Sequence, residues 1–133
     1  MRARTKANFR VPTDDELILL THAVHAPTRG TKTYQRQLNG IRVRYDCKCG
    51  CPSIGLQVRP GAATAKAAYE VADVGYAQYD DVSDLCWVIL FIRDGKLSEL
   101  ELAPMNETPS PRAKLVRLES PGRDILYSAA EVN

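Results

Sequence analysis

The sequence lacks any apolar run long enough to cross a bilayer as a helix. Its longest uncharged apolar stretch, Leu85-Cys86-Trp87-Val88-Ile89-Leu90-Phe91-Ile92, falls well short of the roughly 20 residues such a helix needs, and it reads instead as a core strand. It also lacks a strong charge of either sign. The 18 Lys and Arg side chains against 16 Asp and Glu leave a formal charge of +2, too small to build a dominant field. The apolar segment of a secretory signal is missing, because Met1 to Arg10 carries basic side chains and no hydrophobic stretch. A cytoplasmic protein is expected, in which the 4 cysteines are reduced thiols or metal ligands rather than disulfides. There is no Gly-rich phosphate loop, no paired-glycine dinucleotide fingerprint and no His-Glu-x-x-His, so no motif fixes a reaction.

What is present describes one ordinary globular domain. The chain has 133 residues, of which 44% are hydrophobic and 26% charged. A domain of this length buries roughly two thirds of its unfolded surface, so it needs no metal or disulfide merely to fold. No internal repeat and no second domain is visible.

The local pattern changes period along the chain. Thr13-Asp14-Asp15-Glu16 has the hydroxyl-to-glutamate spacing of a capping box and predicts a helix start. Leu17, Leu20, Thr21 and Val24 fall on one stripe with Ile18 at its edge, and Pro27 stops the run after His25, whose side chain is placed nearer the buried edge than that of His22. A short second helix is expected over Thr33 to Leu38, ended by Asn39-Gly40. From Ile41 the period is two: Ile41, Val43, Tyr45, Cys47 and Cys49 alternate with Arg42, Arg44, Asp46 and Lys48, and Ile54, Leu56 and Val58 continue after the break at Gly50-Cys51-Pro52, giving a hairpin. Tyr69 to Tyr79 predicts a third strand, Leu85 to Arg93 a central fourth with Trp87, Ile89 and Phe91 in the interior, and Lys96 to Ala103 a fifth. Asp94-Gly95 is the primed turn that joins the last two.

The fold class expected is therefore α+β, with two N-terminal helices packed on a four- to five-stranded antiparallel sheet. A basic flexible start occupies residues 1–12, the domain 13–104, and an irregular C-terminal arm 105–133, where Pro109, Pro111 and Pro121 interrupt any long element.

The densest chemistry is Cys47-Lys48-Cys49-Gly50-Cys51, with Cys86 distant on the fourth strand. Zinc held by Cys47, Cys49, Cys51 and Cys86 is the sharp reading. Against it, Cys-x-Cys-x-Cys lacks the Cys-x-x-Cys knuckle, and on an extended strand Cys47 and Cys49 lie about 7 Å apart, too far to share one metal unless the chain bends. Buried or turn thiols without a cofactor are the preferred reading.

Cys49-Gly50-Cys51-Pro52-Ser53, followed by Ile54-Gly55-Leu56, and the later Arg93-Asp94-Gly95-Lys96-Leu97-Ser98-Glu99-Leu100-Glu101 together resemble a family of small uncharacterised proteins encoded by actinobacteria and their phages. The resemblance spans Leu17 to Pro104 and implies a shared helix-then-sheet fold. It implies no catalytic residue.

Three function classes follow. A cysteine-dependent enzyme needs a base near its thiol, and the two histidines, His22 and His25, sit three apart at a helix end, so Cys51 with His25 is the pairing to test. Nucleic-acid binding rests on Arg42, Arg44 and Lys48, which alternation places on one strand face, but the tyrosines do not interleave with them as a stacking platform requires. The favoured reading is a protein-interaction module, an adaptor, inhibitor or immunity-like protein. It would grip a protein partner or its own copy through the arm's apolar residues Leu115, Leu118, Ile125 and Tyr127.

Overall fold

The computed structural model describes residues 8–45 and 52–131. Helix α1 runs Asp14–Ala23 and begins as its capping box requires. Thr13 Oγ1 accepts from the Glu16 amide at 3.1 Å, and Glu16 Oε1 accepts from the Thr13 amide at 2.9 Å. The same glutamate takes a bidentate pair from Arg10, at 2.7 and 2.9 Å, and raises the affinity of that guanidinium for its proton. Arg10 in turn pairs backbone to backbone with Val43, so the segment before α1 is tied to the sheet.

The buried stripe of α1 is Glu16, Leu19, Leu20 and Ala23, continued by Val24. It is rotated from the stripe expected at Leu17, Leu20, Thr21 and Val24, with Leu17 and Thr21 exposed. Leu17 to Leu20 is an unbroken apolar run, which leaves the facing angle undetermined by pattern; in the fold Glu16, paired with Arg10, and Leu19 face inward. His25 is exposed and His22 half-buried, the reverse of the expectation. Helix α2, Thr31–Gln37, follows Gly30, whose φ of +88° an L side chain rarely adopts.

Among the described residues seven strands form one open antiparallel sheet: β1 Arg42–Tyr45, β2 Ile54–Gln57, β3 Tyr69–Tyr79, β4 Leu85–Arg93, β5 Lys96–Pro104, β6 Leu115–Glu119 and β7 Ile125–Ser128. Their order across the sheet is β1-β2-β5-β4-β3-β6-β7. The expected four or five strands understate the sheet by β6 and β7, and the irregular arm of 105–133 gives way to that added hairpin. The prolines explain the difference. Pro109, Pro111 and Pro121 fall in the connections before β6 and between β6 and β7, where a missing amide costs no ladder bond, so they punctuate strands rather than forbid them. At the β4–β5 turn Asp94 and Gly95 have φ of +53° and +73°, the positive pair a primed turn requires.

One core joins the helices to one face of the sheet. Leu19, Leu20, Ala23, Val24 and Tyr34 cluster with Val43, Ile54, Ala72, Val88, Leu90, Ile92, Leu97, Leu100, Leu102, Leu115 and Leu118. Strand β4 is central, as expected, but it faces the other way: Cys86, Val88, Leu90 and Ile92 are buried, while Trp87 is 43% exposed and Ile89 and Phe91 are half-buried. Both alternating sets are apolar, so composition cannot choose between them. Register does, because Val88 and Leu90 lie opposite Leu102 and Leu100, whereas Ile89 and Phe91 lie opposite Glu101 and Glu99.

A buried amide locks the layers together at one end. Gln37 Nε2 donates to the carbonyls of Ala63 and Gly95, each at 2.9 Å, and its Oε1 accepts from the Leu97 amide at 3.0 Å. The Ala65 amide adds a bond to the Gly95 carbonyl, so α2, the 62–67 loop and the β4–β5 turn hold one another.

Candidate functional site: the uncovered face of the sheet

The face of the sheet turned away from the helices carries the large side chains that the core does not use. Two rows of paired residues define its centre. One runs Arg44, Gly55, Glu99, Phe91, Val71 across β1, β2, β5, β4 and β3. The other runs Ala103, Trp87, Tyr76, Glu119, Ile125 from β5 to β7. Between them Ile89 is flanked by Glu101 and Asp73. Trp87 on the central strand, Val71 (48% exposed) and Tyr69 at the start of β3 (55% exposed) are open to solvent on a face where apolar side chains are ordinarily packed against a second layer, and Ile89 and Phe91 between them are half-buried.

The polar groups around this patch are held in place. Trp87 Nε1 donates to Asp73 Oδ1 at 2.8 Å. The Arg93 guanidinium lies 5.3 Å from the centre of the Tyr69 ring, and that of Arg123 lies 4.4 Å over Tyr76 while also reaching Glu119 at 3.4 Å. Asp73, Glu99 and Glu101 give the strands beside β4 an acidic fringe.

The residues singled out from sequence are distributed differently. Arg42 and Arg44 do share the outer side of β1, paired with Gln57 and Gly55, and Arg44 is stacked 4.6 Å over the Phe9 ring. Lys48 lies outside the described residues, as do Cys47, Cys49 and Cys51. Cys86 is buried on the core side of β4, opposite Ala77 and Pro104. Among the described residues no group of three or more His, Cys, Asp or Glu side chains is gathered to hold a metal.

Leu115 and Leu118 are 2% and 0% exposed, packed in this chain's own core, which removes them from any partner surface. Tyr127 sits half-buried opposite Leu118, and Ile125, 49% exposed, is the one of these four left open. His22 and His25 line a groove of about 340 Å³ with Asp73, Ser120 and Leu126. Burial, reinforced by His25, lowers the pKa of His22.

The apolar patch was hidden from sequence reasoning by the symmetry of β4. The signal that marks it is Asp73, a charge in the middle of an 11-residue strand at a position pairing with Ile89. No helix among the described residues is long and apolar enough to cross a membrane. No protein-family model, curated protein or solved structure matches this chain.

Proposed function

We propose that the chain is a protein-binding module whose contact surface is the uncovered sheet face centred on Trp87, and that its partner presents apolar side chains fringed by basic groups. The observation that carries this reading is the exposure of Trp87 on the central strand β4 and of Val71 on β3 beside it, with Asp73 on one side of β4 and Glu99 and Glu101 on the other. Aromatic anchors in a patch of this kind supply most of the energy of an interface, and flanking charge selects the partner. Nucleic acid is the weaker reading. A phosphate backbone laid across the face from Arg42 and Arg44 meets Glu99 and Glu101 before it reaches the aromatic side chains.

A pair of synthetic amphipathic peptides tests it, one alternating leucine with lysine and the other leucine with glutamate. The leucine–lysine peptide should shift the fluorescence of Trp87 to the blue and bind more weakly to Trp87→Ala and to Glu101→Lys. The leucine–glutamate peptide should bind poorly. Equal binding of the two peptides, or indifference to both substitutions, would overturn the reading. Sedimentation covers the remaining occupant: concentration-dependent dimerisation lost in Trp87→Ala would replace the basic partner with a second copy of this chain.

A further inference from the structure

The apolar part of the uncovered face is a narrow strip. On β3 and β4 the side chains directed away from the helices are Tyr69, Val71 and Tyr76, and Trp87, Ile89 and Phe91. Asp73 interrupts them, with one oxygen engaged by Trp87 Nε1 at 2.8 Å. On β5 the positions opposite Phe91 and Ile89 are Glu99 and Glu101, and on β6 the positions opposite Tyr76 and Gln78 are Glu119 and Arg117. Charged side chains therefore bound the strip along β5 and, at its Tyr76 end, along β6. Its apolar width is two strands.

Those dimensions select the shape of an occupant. Two strands span about 10 Å, and Tyr69 to Tyr76 covers about 20 Å along the strand direction. A second sheet laid on this face would have to bury the charged positions of β5 and β6 as well. One α-helix is about 10 Å across with its side chains and rises about 1.5 Å per residue, so about 14 residues fill the strip. The backbone argues the same way. The strip offers side chains only, because the ladders of β4 with β3 and β5 occupy its amides and carbonyls. An extended segment lying flat there would leave its own amides unpaired against apolar side chains, whereas a helix pairs its backbone internally. Glu99 and Glu101 occupy alternate positions of β5, about 7 Å apart, close to the spacing of two helical side chains one turn apart.

We propose that the occupant of this face is a single amphipathic α-helix of a partner protein, about 14 residues long, laid along β3 and β4. Its apolar stripe rests on Trp87 and Val71, and two basic residues one turn apart lie beside Glu99 and Glu101. This rests on the reading of the face as a protein-binding surface and adds the form that the partner takes there.

Two peptides of about 14 residues with identical leucine and lysine content test it against the intact protein. In one, leucine recurs with the spacing i, i+3, i+4, i+7; in the other, leucine and lysine alternate. The first should bind at least about tenfold tighter, gain helical circular dichroism on binding, and move the amide signals of Val71, Trp87 and Ile89. A proline at its centre should remove that advantage without altering its charge. Trp87→Ala and Val71→Ser should each weaken it, the second at a side chain that is 48% exposed and outside the core. If the alternating peptide binds as tightly or more tightly and still depends on Trp87, the helix is overturned while the face stands. New exchange protection in the 69–73 part of β3, which β6 does not pair, would then identify an added strand. If neither peptide loses affinity in Trp87→Ala and Val71→Ser, the helix and the face fall together.

Discussion

Trp87 and Asp73 are joined by a 2.8 Å hydrogen bond from the indole nitrogen to the carboxylate, across the two central strands on the face turned away from the helices. The bond fixes the one tryptophan of the chain in an orientation that leaves it 43% exposed. Its emission should accordingly be that of a wet indole, and iodide or acrylamide should quench it efficiently. Trp87→Ala should cost about 1 to 2 kcal/mol, well under the roughly 3 to 5 of a fully buried tryptophan, measured by urea denaturation. A blue, unquenchable emission in the isolated protein would mean that the face is already covered.

Gln37 is predicted to be the most sensitive polar side chain in the fold. Gln37→Leu keeps the volume but strands the Leu97 amide and takes one donor from each of the carbonyls of Ala63 and Gly95, the latter keeping its bond from the Ala65 amide. The expected loss is about 2 to 4 kcal/mol from unfolding curves, with faster hydrogen exchange at Ala65 and Leu97. A loss below about 1 kcal/mol would show that water replaces the amide without penalty.

Gly75 lies where β3 bulges, with φ of +128°, and a Cβ there would meet the Glu119 carbonyl oxygen at 1.9 Å. Gly75→Ala should cost more than about 3 kcal/mol by driving β6 away from β3. The readout is loss of exchange protection in β6 and β7 before β3 to β5 are affected. Uniform destabilisation of all seven strands would show instead that the sheet unfolds as a single unit.

The pH dependence follows from His22. Its pKa is lowered in the folded chain by burial and by His25, so near the ordinary histidine value the unfolded chain binds more protons than the folded one. Stability should therefore be full above about pH 6.5 and fall as the pH drops below it. His22→Gln should flatten that decline, and an NMR titration of the His22 ring should give a midpoint below that of a histidine in a peptide.

Much of the fold was legible because its signals are local. The Thr13–Glu16 capping box, the Asp94-Gly95 turn and the limits of β3 and β4 all depend on a few adjacent residues, and all appear where the pattern puts them. What sequence could not supply is long-range. Leu85 to Ile92 is apolar in both phases, so the side of β4 that faces the helices is settled only by its pairing with Leu100 and Leu102. The prolines after β5 read as an arm because nothing nearby reveals that Leu115 and Leu118 fill the core beside β3. The candidate site suffered most. Alternation puts Arg42, Arg44 and Lys48 on one strand face; Arg42 and Arg44 do share the outer side of β1, and Lys48 falls outside the described residues, whereas the Trp87 patch depends on which face of β4 the helices cover, which no local pattern reveals.

The strand order has a kinetic consequence. Four of the six strand interfaces, β1–β2, β3–β4, β4–β5 and β6–β7, join strands adjacent in the chain and close as rapid hairpins. The other two, β2 onto β5 and β3 onto β6, bridge distant segments and carry the larger loop-closure entropy. The β3–β5 meander is thus the natural nucleus, and the two outer hairpins dock on its opposite edges. Asp15 Oδ2, accepting from the Leu115 amide at 2.8 Å, can close only after the second docking. During synthesis that contact waits until β6 has left the ribosome, so the free edge of β3 is the point at which a nascent or truncated chain is exposed to pairing with another.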